Sequence, residues 1–256
     1  MRKYIQCFLI LLLFGTITLF VAPALMADGG NTYNDSFPKA KEWLLGRVYT
    51  DHRTTVYCEA EFMPDKTIIL PQGFKTDKYQ ARAHRLEWEH IVPAENFGRT
   101  FPEWRDGHPD CIDKSGKPFK GRKCAELANK SYRLMQADMY NLYPAIGAVN
   151  ASRQNYNFIQ FQDDTKSSFG SCLMKIHDRK AEPPTPARGV IARTYLYFED
   201  AYSRYRMSDS QRNLMQAWDR LYPVTEWECE RSCRIYNIQK NKNKILEKRC
   251  KGIWEC

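Results

Sequence analysis

The feature that most constrains the fold of this chain is a set of eight cysteines that follows an apolar leader. A basic start precedes an apolar run from Phe8 to Val21, and small residues follow this run up to Ala27. This pattern is typical of a secretory signal peptide. We therefore expect residues 1–27 to be removed on export. The alternative is an uncleaved membrane anchor, because the run with its flanks approaches the length of a spanning helix.

Export to an oxidising compartment favours disulfide formation. The cysteines that follow the leader are Cys58, Cys111, Cys124, Cys172, Cys229, Cys233, Cys250 and Cys256. Eight cysteines can close four disulfides, in about 105 pairings that the sequence does not distinguish. Zinc is the alternative for Cys229 and Cys233, but no Cys-x-x-Cys is present and the five histidines are scattered. We therefore favour a disulfide-stapled domain over a zinc site.

The charge balance predicts a polyanionic partner. Removal of Arg2 and Lys3 with the leader lowers the formal net charge from +9 to +7. A lysine excess is also compatible with a well-solvated surface, so charge alone leaves both interpretations open. The remaining chain, roughly 230 residues, suffices for one substantial core. Because it contains no long Gly/Ser linker and no internal repeat, we predict one domain, residues 28–256.

The stretch RLEWEHIVPAENFGR, from Arg85 to Arg99, concentrates acid and imidazole side chains. If residues 86–91 are extended, Glu87 and Glu89 lie on one face and His90 on the other. A carboxylate that binds a divalent cation, beside a neutral imidazole that takes a proton from water, is what metal-assisted hydrolysis requires. A lone Glu-His pair is more often a surface salt bridge or a satisfied polar contact, so this motif needs a partner elsewhere.

Local patterns predict the elements before the loop region. Ser36 is expected to cap a helix with Phe37, Ala40, Leu44 and Val48 on one face. Thr54 to Phe62 alternates, which predicts a strand with Cys58 pointing inward, and Thr67 to Leu70 is its plausible partner. Arg105 to Arg122 lacks apolar periodicity and predicts a long loop with a cationic tip, which we expect Cys111 and Cys124 to pin.

The second half of the chain is predicted to be mainly helical. In Ser131 to Phe158 we expect two helical pieces with a break at Pro144 and Gly147. Asn150 lies in an amide-rich region that suits oxygen ligation, although asparagine caps are common and the residues alone favour a structural role for it. Later elements are an aromatic helix over Gly189 to Tyr202, a helix capped by Ser208 and Gln211 with Leu214, Trp218 and Leu221 on one face, and a tail from Glu226 held by disulfides to the body.

Four segments together resemble the bacterial endonuclease I family of secreted or periplasmic non-specific nucleases. They are RLEWEHIVPAENFG, YRLMQADMYNLYPAIGAVNASRQNYNF, ARGVIARTYLYFEDAY and LMQAWDRLYPVTEWECER, in the order of the family. The resemblance implies an α+β single domain built around a ββα-metal nuclease motif, in which strands carry a general base and a helix carries metal ligands. It also implies cleavage of DNA and of RNA after export.

The resemblance assigns roles to individual residues. It implies that Glu89 and Asn150 bind one Mg²⁺, that His90 is the general base, and that Arg122 holds the scissile phosphate. Activity would then fall below the pKa of His90, about 6.5 before perturbation. Supporting or uncertain positions are Glu87, Gln136 and Asn141. Contacts to the nucleic acid backbone are expected from Arg99, Lys120 and Arg153.

Three departures from the family pattern stand out. Gln136 replaces a usual glutamate, which keeps an oxygen acceptor but loses a charge. Ala60 and Gln72 occupy places where members commonly carry cysteines, while Cys233 and Cys256 look additional, so we infer a bridge between these two. The tail from Gln239 to Lys244 is lysine-rich. A nucleic-acid-binding protein without catalysis is the competing hypothesis, and a zinc-dependent hydrolase is a more distant one.

Overall fold

The computed structural model describes residues 29–162, 164–253 and 256. The predicted leader, residues 1–27, lies outside these described residues. None of the helices in the described part of the chain has the length and apolar character that crossing a membrane requires. The fold mixes helices with small sheets in one domain and contains four disulfides.

Ten α-helices and seven strands occur within the described residues. The helices are α1 Phe37–Trp43, α2 Ala94–Gly98, α3 Pro102–Arg105, α4 Arg122–Ala128, α5 Lys130–Gln136, α6 Gly147–Arg153, α7 Thr185–Ala201, α8 Asp209–Leu221, α9 Glu226–Gln239 and α10 Lys244–Arg249. The strands are β1 Glu61–Phe62, β2 Ile68–Ile69, β3 Leu86–His90, β4 Leu142–Ile146, β5 Asn157–Phe158, β6 Lys175–His177 and β7 Lys180–Glu182. They form an antiparallel β1–β2 pair, an antiparallel β3–β4 pair and a three-stranded sheet in the order β5–β7–β6.

The β3–β4 pair and helix α6 form the centre of the molecule. β3 and β4 pair over five residues, with Trp88 opposite Pro144, and α6 begins directly after β4 and packs against both strands. All five residues of β4 are buried, and the carbonyl of Pro144 accepts a hydrogen bond from the amide of Val56 at 2.8 Å. Pairing with the buried strand β4 therefore fixes the position of β3, whose side chains contact α6.

The N-terminal helix confirms its prediction. The side chain of Ser36 accepts a hydrogen bond from the amide of Lys39 at 3.3 Å, and Pro38 lies in the first turn. A π-helical turn, Leu44–Val48, continues α1, and the inward face of the two segments is buried. This helix closes one side of the cavity described below.

The strand predicted over Thr54 to Phe62 is wrong except at its end. The amide of Thr55 donates to the carbonyl of Ala60 at 2.9 Å, and the hydroxyl of Thr55 accepts from the amide of Ala60 at 2.9 Å. Glu59 has a positive φ of 49°. The chain therefore turns between these residues, and only Glu61–Phe62 pairs with Ile68–Ile69, the predicted partner.

The two helical pieces predicted in Ser131 to Phe158 are α5 and α6, but a strand lies between them. Leu142–Ile146, which surrounds the predicted break at Pro144, is β4. Pro144 fits there because its missing N–H is not needed for pairing with β3. The sequence spacing of the apolar residues fits both conformations, and pairing with β3 decides between them.

The long loop between α3 and α4 confirms its prediction. Cys111 and Cys124 are disulfide-bonded and pin it. Within the loop the amide of Phe119 donates to the carbonyl of Cys111 at 2.9 Å, and Ile112 forms a bridge with Pro118. Helix α4 starts at Arg122 as this loop ends.

The C-terminal helices largely follow their predictions. The aromatic stripe of α7 is buried, and the hydroxyl of Ser208 accepts from the amide of Gln211 at 3.3 Å at the start of α8. Leu221, predicted to pack with Trp218, is 68% exposed instead. It is the last residue of α8, which leaves the core there.

The prediction that disulfides tie the tail to the body is wrong. Cys229 pairs with Cys250, and Cys233 pairs with Cys256 as inferred, so both bridges lie within the tail. The tail is held by buried polar contacts instead. The Nη2 atom of Arg231 donates to the carbonyls of Met139 and Leu142 at 2.8 and 2.7 Å. Cys58 and Cys172 form the remaining bridge, across 114 residues of sequence.

Candidate active site

A cavity of about 760 Å³ lies between α1, β3, the start of α4 and α6. Its lining includes five of the residues singled out from the sequence: Glu87, Glu89, His90, Arg122 and Asn150. Lys41, Lys66 and Arg82 add positive charge to its walls. Segments that are far apart in sequence therefore bring an acid, an imidazole, an amide and cations to one place.

The side chains of β3 alternate as predicted. Glu87 and Glu89 both contact helix α6, the first through Asn150 and the second through Arg153. His90 points the other way, towards α5 and the ring of Phe37, whose centroid is 5.0 Å from that of the imidazole. The strand thus separates the carboxylates from the imidazole while it keeps them adjacent.

Glu89 is buried and held by two donors. Its Oε1 atom accepts hydrogen bonds from the hydroxyl of Tyr57 at 2.7 Å and from Nη1 of Arg153 at 2.9 Å. Burial raises the pKa of Glu89, and the charge of Arg153 and the bond from Tyr57 oppose that rise. Both bonds use Oε1, and Oε2 has no hydrogen-bond partner among the described residues.

Arg153 does not fit its predicted contact with nucleic acid, because its side chain is fully buried. Besides Glu89, it donates to the carbonyls of His90 and Ile91 at 2.9 and 2.7 Å. A guanidinium without solvent access cannot reach a phosphate. Arg153 instead neutralises Glu89 and fixes the end of β3. It thereby positions Glu89 and His90.

Asn150 is oriented by Glu87. The amide nitrogen Nδ2 of Asn150 donates to Oε2 of Glu87 at 2.9 Å, and Arg82 and Arg85 donate to the same carboxylate. Burial alone would raise the pKa of Glu87, but the hydrogen bonds from the two arginines and from Asn150 lower it. Because Nδ2 is engaged, Oδ1 of Asn150 is left for another partner.

The first residue of α6 allows this close approach. A side chain at Gly147 would meet the carbonyls of Arg82 and Arg85 at 2.6 and 2.9 Å and Oε1 of Glu87 at 2.9 Å. The amide of Gly147 donates to the carbonyl of Arg85 at 2.9 Å. Glycine therefore lets the helix start against the strand that carries the carboxylates.

His90 is buried beside a cation. Its Nε2 atom lies 2.9 Å from the carbonyl oxygen of Gln136. Because a carbonyl only accepts, Nε2 carries the hydrogen and Nδ1 carries the lone pair. Burial, followed by the nearby charge of Arg122, lowers the pKa of His90 to about 3. The imidazole therefore stays neutral down to a lower pH than the unperturbed pKa of about 6.5 implies.

The other predicted residues lie outside the cavity. Two of them make buried structural contacts, and two are exposed elsewhere on the surface. The side chain of Asn141 is buried and bonds the amide and the carbonyl of Val92, at 2.7 and 3.0 Å, so it extends the end of β3. Gln136 is buried and donates from Nε2 to Glu126 at 2.5 Å. Arg99 and Lys120 are exposed and line other cavities.

Sequence reasoning missed Tyr57 and Arg82, which hold the two glutamates. Tyr57 lies in the segment predicted to be a strand, and nothing in its neighbours indicates a partner on β3. Arg82 precedes the acidic stretch by a few residues, so the basic character of that flank was the available signal. Within the described ranges, no group of three or more His, Cys, Asp or Glu is arranged to hold a metal ion. The pair of Glu89 and Asn150 has only one such residue, so this finding does not bear on it.

Known proteins similar to this chain are nucleases. The sequence profile of the Endonuclease I family matches residues 46–250. A relative from Aeromonas hydrophila named periplasmic deoxyribonuclease is 37% identical over 242 residues, which cover 91% of this chain and 93% of the relative. An extracellular deoxyribonuclease from the same organism is 36% identical, with 91% and 96% covered. Endonuclease-1 of Buchnera aphidicola subsp. Acyrthosiphon pisum (strain APS) is 40% identical, with 80% and 78% covered.

Proposed function

The chain belongs to the endonuclease I family, and on this basis we propose that it is a secreted or periplasmic endonuclease that hydrolyses phosphodiester bonds of DNA and of RNA. The observation that supports this most strongly is that Glu89, His90, Arg122 and Asn150 line one cavity. Relatives named periplasmic and extracellular deoxyribonucleases support both the reaction and the export. Residues 1–27 are proposed to be the signal peptide and residues 28–256 the catalytic domain with its disulfide-rich tail.

One Mg²⁺ is proposed as the cofactor, with Glu89 and Asn150 as its protein ligands. The donor chemistry fits, because Oε2 of Glu89 and Oδ1 of Asn150 are oxygen atoms without a hydrogen-bond partner in the described part of the chain. Magnesium keeps several of its waters and needs few protein oxygens. When bound, the ion would stabilise the negative charge that develops on the phosphate and the leaving oxygen. On this proposal β3, β4 and α6 form the ββα-metal motif.

His90 is proposed to accept a proton from the attacking water at Nδ1. Its Nε2–H donates to the carbonyl of Gln136, which fixes the tautomer and leaves the lone pair on Nδ1, and His90 lines the cavity. Its lowered pKa keeps the imidazole neutral, so that the Nδ1 lone pair is available, and the same shift makes His90 a weaker base than a free imidazole. The water oxygen then bonds to phosphorus as the bond between phosphorus and the leaving oxygen breaks.

Arg122 is proposed to hold the scissile phosphate. Its side chain is exposed and lines the cavity, and its positive charge contributes to the lowered pKa of His90. A guanidinium binds two phosphate oxygens at once and stays charged throughout. The disulfide between Cys111 and Cys124 ties the preceding loop to the first turn of α4 and so limits the movement of the backbone at this arginine.

Cleavage of both DNA and RNA follows from the proposed contacts. The attacking group is water, so the reaction does not require a 2′-hydroxyl. The cations that line the cavity recognise phosphate, which carries no sequence information. Binding is therefore expected to weaken as salt is raised and to depend little on base sequence.

The test is a nicking assay on supercoiled plasmid with the oxidised protein. We expect cleavage in Mg²⁺, none in EDTA, and a loss of about 100-fold or more for His90→Ala. His84→Ala is the matched control, because His84 is exposed and does not line the cavity. If His90→Ala cuts as fast as the parent, His90 is not the base. If the parent binds DNA but does not cut it in Mg²⁺, the protein is a binding module and the proposed reaction is wrong.

A further inference from the structure

A second cavity, of about 520 Å³, lies next to the candidate active site. Its walls come from α2, the residues after α6, the β6–β7 hairpin and the segment that leads into α8. Asn155 lines both cavities. The two cavities therefore meet at Asn155, so a chain-like ligand that leaves the first cavity on this side comes next to the second.

The second cavity is lined by cations and by no carboxylate. Its basic residues are Arg99, Arg179, Lys180 and Arg206. Within the described ranges, the side chains of Arg179 and Lys180 have neither a hydrogen bond nor an ion pair. Arg206 donates only to the carbonyls of Glu199 and Tyr205, whereas Arg99 is paired with Glu95. No ion pair in the described part of the chain therefore neutralises the charges of Arg179 and Lys180.

A tight turn holds one of these cations in place. Asp178 and Arg179 connect β6 to β7, and both have positive φ values, 45° and 58°. Two central residues with positive φ form the hairpin turn whose twist matches that of the paired strands. Arg179 therefore lies at the tip of a two-residue hairpin turn and not in a long loop.

Gln211 supplies the observation that points to a ligand. This residue lines the cavity, is only 8% exposed, and its Nε2 atom is buried without a hydrogen-bond partner. A buried donor without a partner is rare, because it loses its bonds to water and gains nothing in return. An anionic oxygen in the cavity would lie among the cations, and Nε2 of Gln211, which has no solvent access, would donate to it once the side chain turns towards the cavity.

We propose that this second cavity binds the phosphodiester backbone of the nucleic acid strand at nucleotides beyond the scissile one. This inference rests on the proposed nuclease function and adds a binding subsite to it. Cations and an amide donor recognise phosphate oxygens without reading bases. The exposed side chains of Arg179 and Lys180 thus provide the contacts that the buried Arg153 cannot, and Gln211 adds a donor when its side chain turns. Lys120, by contrast, lines a separate cavity that shares no residue with the active site.

The test compares a long and a minimal substrate. Arg179→Ala/Lys180→Ala and Gln211→Met are assayed on a 30-nucleotide single strand and on bis(p-nitrophenyl) phosphate. We expect the KM for the oligonucleotide to rise about tenfold for each variant, because charge-assisted bonds to phosphate are lost. Turnover of the minimal substrate should stay as in the parent, since it does not reach the second cavity. For the double variant, the slope of log affinity against log salt should become shallower by about 1.4.

The controls separate this inference from changes in folding. Lys75→Ala/Lys78→Ala removes the same charge from exposed positions outside both cavities and should leave the KM unchanged. Gln211→Met should not lower the thermal stability of the free protein, because it removes a donor that has no partner. Unchanged KM and salt slope in the cavity variants, or an equal loss on both substrates, would overturn the inference.

Binding measurements distinguish failure of the subsite from failure of the function. In the His90→Ala background, fluorescence anisotropy with the same oligonucleotide reports the subsite without any cleavage. Weaker binding by the cavity variants in that background supports the subsite whatever the nicking assay shows. Unchanged binding there overturns the subsite even if His90→Ala has abolished cleavage as proposed.

Discussion

Nη1 of Arg153 donates to Oε1 of Glu89 at 2.9 Å, and both side chains are buried. The same guanidinium bonds the carbonyls of His90 and Ile91. A single side chain on α6 therefore fixes the carboxylate proposed to bind the metal and the backbone of the proposed base. Since the two residues lie 64 positions apart in sequence, the geometry of the site depends on the packing of α6 against β3.

Replacing Arg153 should lower the stability of the fold. In Arg153→Met the carboxylate of Glu89 stays buried without its partner, and two carbonyls lose their donor. Breaking a buried pair from one side costs about 3–5 kcal/mol, so we expect a loss of that order in the free energy of unfolding measured with urea. Arg220→Met, at an exposed position, is the control and should change it by less than about 0.5 kcal/mol. Equal midpoints for the two variants would contradict this role for Arg153.

The sequence predicted the residues on β3 better than their partners. Alternation in residues 86–90 is a local signal, and it correctly separated Glu87 and Glu89 from His90. The burial of Arg153 is not local, because an arginine in an amide-rich segment has the same pattern whether it faces solvent or a carboxylate. The strand β4 was missed for the same reason, since only its pairing with β3 makes it extended.

Gly147 should not tolerate a side chain. A methyl group there would lie under 3 Å from two carbonyls and from Glu87, so Gly147→Ala must shift α6 away from β3. We expect a loss of about 1–3 kcal/mol in the free energy of unfolding, together with slower cleavage because Asn150 moves with the helix. The measurements are urea denaturation and plasmid nicking.

Gly46→Ala is the matched control for this clash. A side chain at Gly46 meets nothing within 4 Å, and the position is helical. Alanine there should leave the stability unchanged or raise it by about 0.5–1 kcal/mol. If both variants behave alike, the close approach at Gly147 does not matter for the fold.

The disulfides show a similar limit of sequence reasoning. Cys111 and Cys124 bracket one loop, so their pairing was predicted from local pattern. The bridge between Cys58 and Cys172 spans 114 residues and depends on how distant segments pack. The tail bridges were expected to reach the body, but buried side chains such as Arg231 provide that attachment.

The contact between Asp51 and Arg234 should make stability depend on acidic pH. Arg234 on α9 donates to both oxygens of Asp51 at 2.7 and 2.8 Å and lowers the pKa of that carboxyl to about 2. The folded pKa lies below the unfolded value of about 3.9, so the folded state binds fewer protons. The stabilisation is complete above the unfolded pKa and is lost as the pH falls towards 2.

Asp51→Asn tests this linkage. The variant should be less stable than the parent at pH 7, and the difference should shrink between pH 4 and pH 2. Because the pair is exposed, the difference at pH 7 should be small and should shrink further in 1 M NaCl. Urea midpoints at pH 7, 4 and 2.5 measure it. A difference that stays constant over this range would show that Asp51 acts by packing and not by its charge.

Replacing Gln136 with glutamate, the residue that the family resemblance led us to expect there, should destabilise this chain. Its Nε2 donates to Oε1 of Glu126 at 2.5 Å, and its side chain is buried. In Gln136→Glu the donor disappears and two carboxylates face each other. Repulsion between the two adjacent carboxylates raises the pKa of one of them in the folded state. In the unfolded state each glutamate has a pKa of about 4.3. Between these two pKa values the folded state therefore binds a proton that the unfolded state does not. The loss of stability is therefore complete above the raised pKa and shrinks as the pH falls below it.

We expect Gln136→Glu to lower the free energy of unfolding at pH 7 by about 1–3 kcal/mol. Gln136→Glu/Glu126→Gln restores one acid and one amide in reversed order and should recover most of that loss. Urea denaturation of the parent, both single variants and the double variant gives the coupling energy between the positions. Because the backbone carbonyl of Gln136 also accepts from His90, nicking rates should fall and recover in parallel with stability. A stable and fully active Gln136→Glu would mean that the amide is not needed beside Glu126.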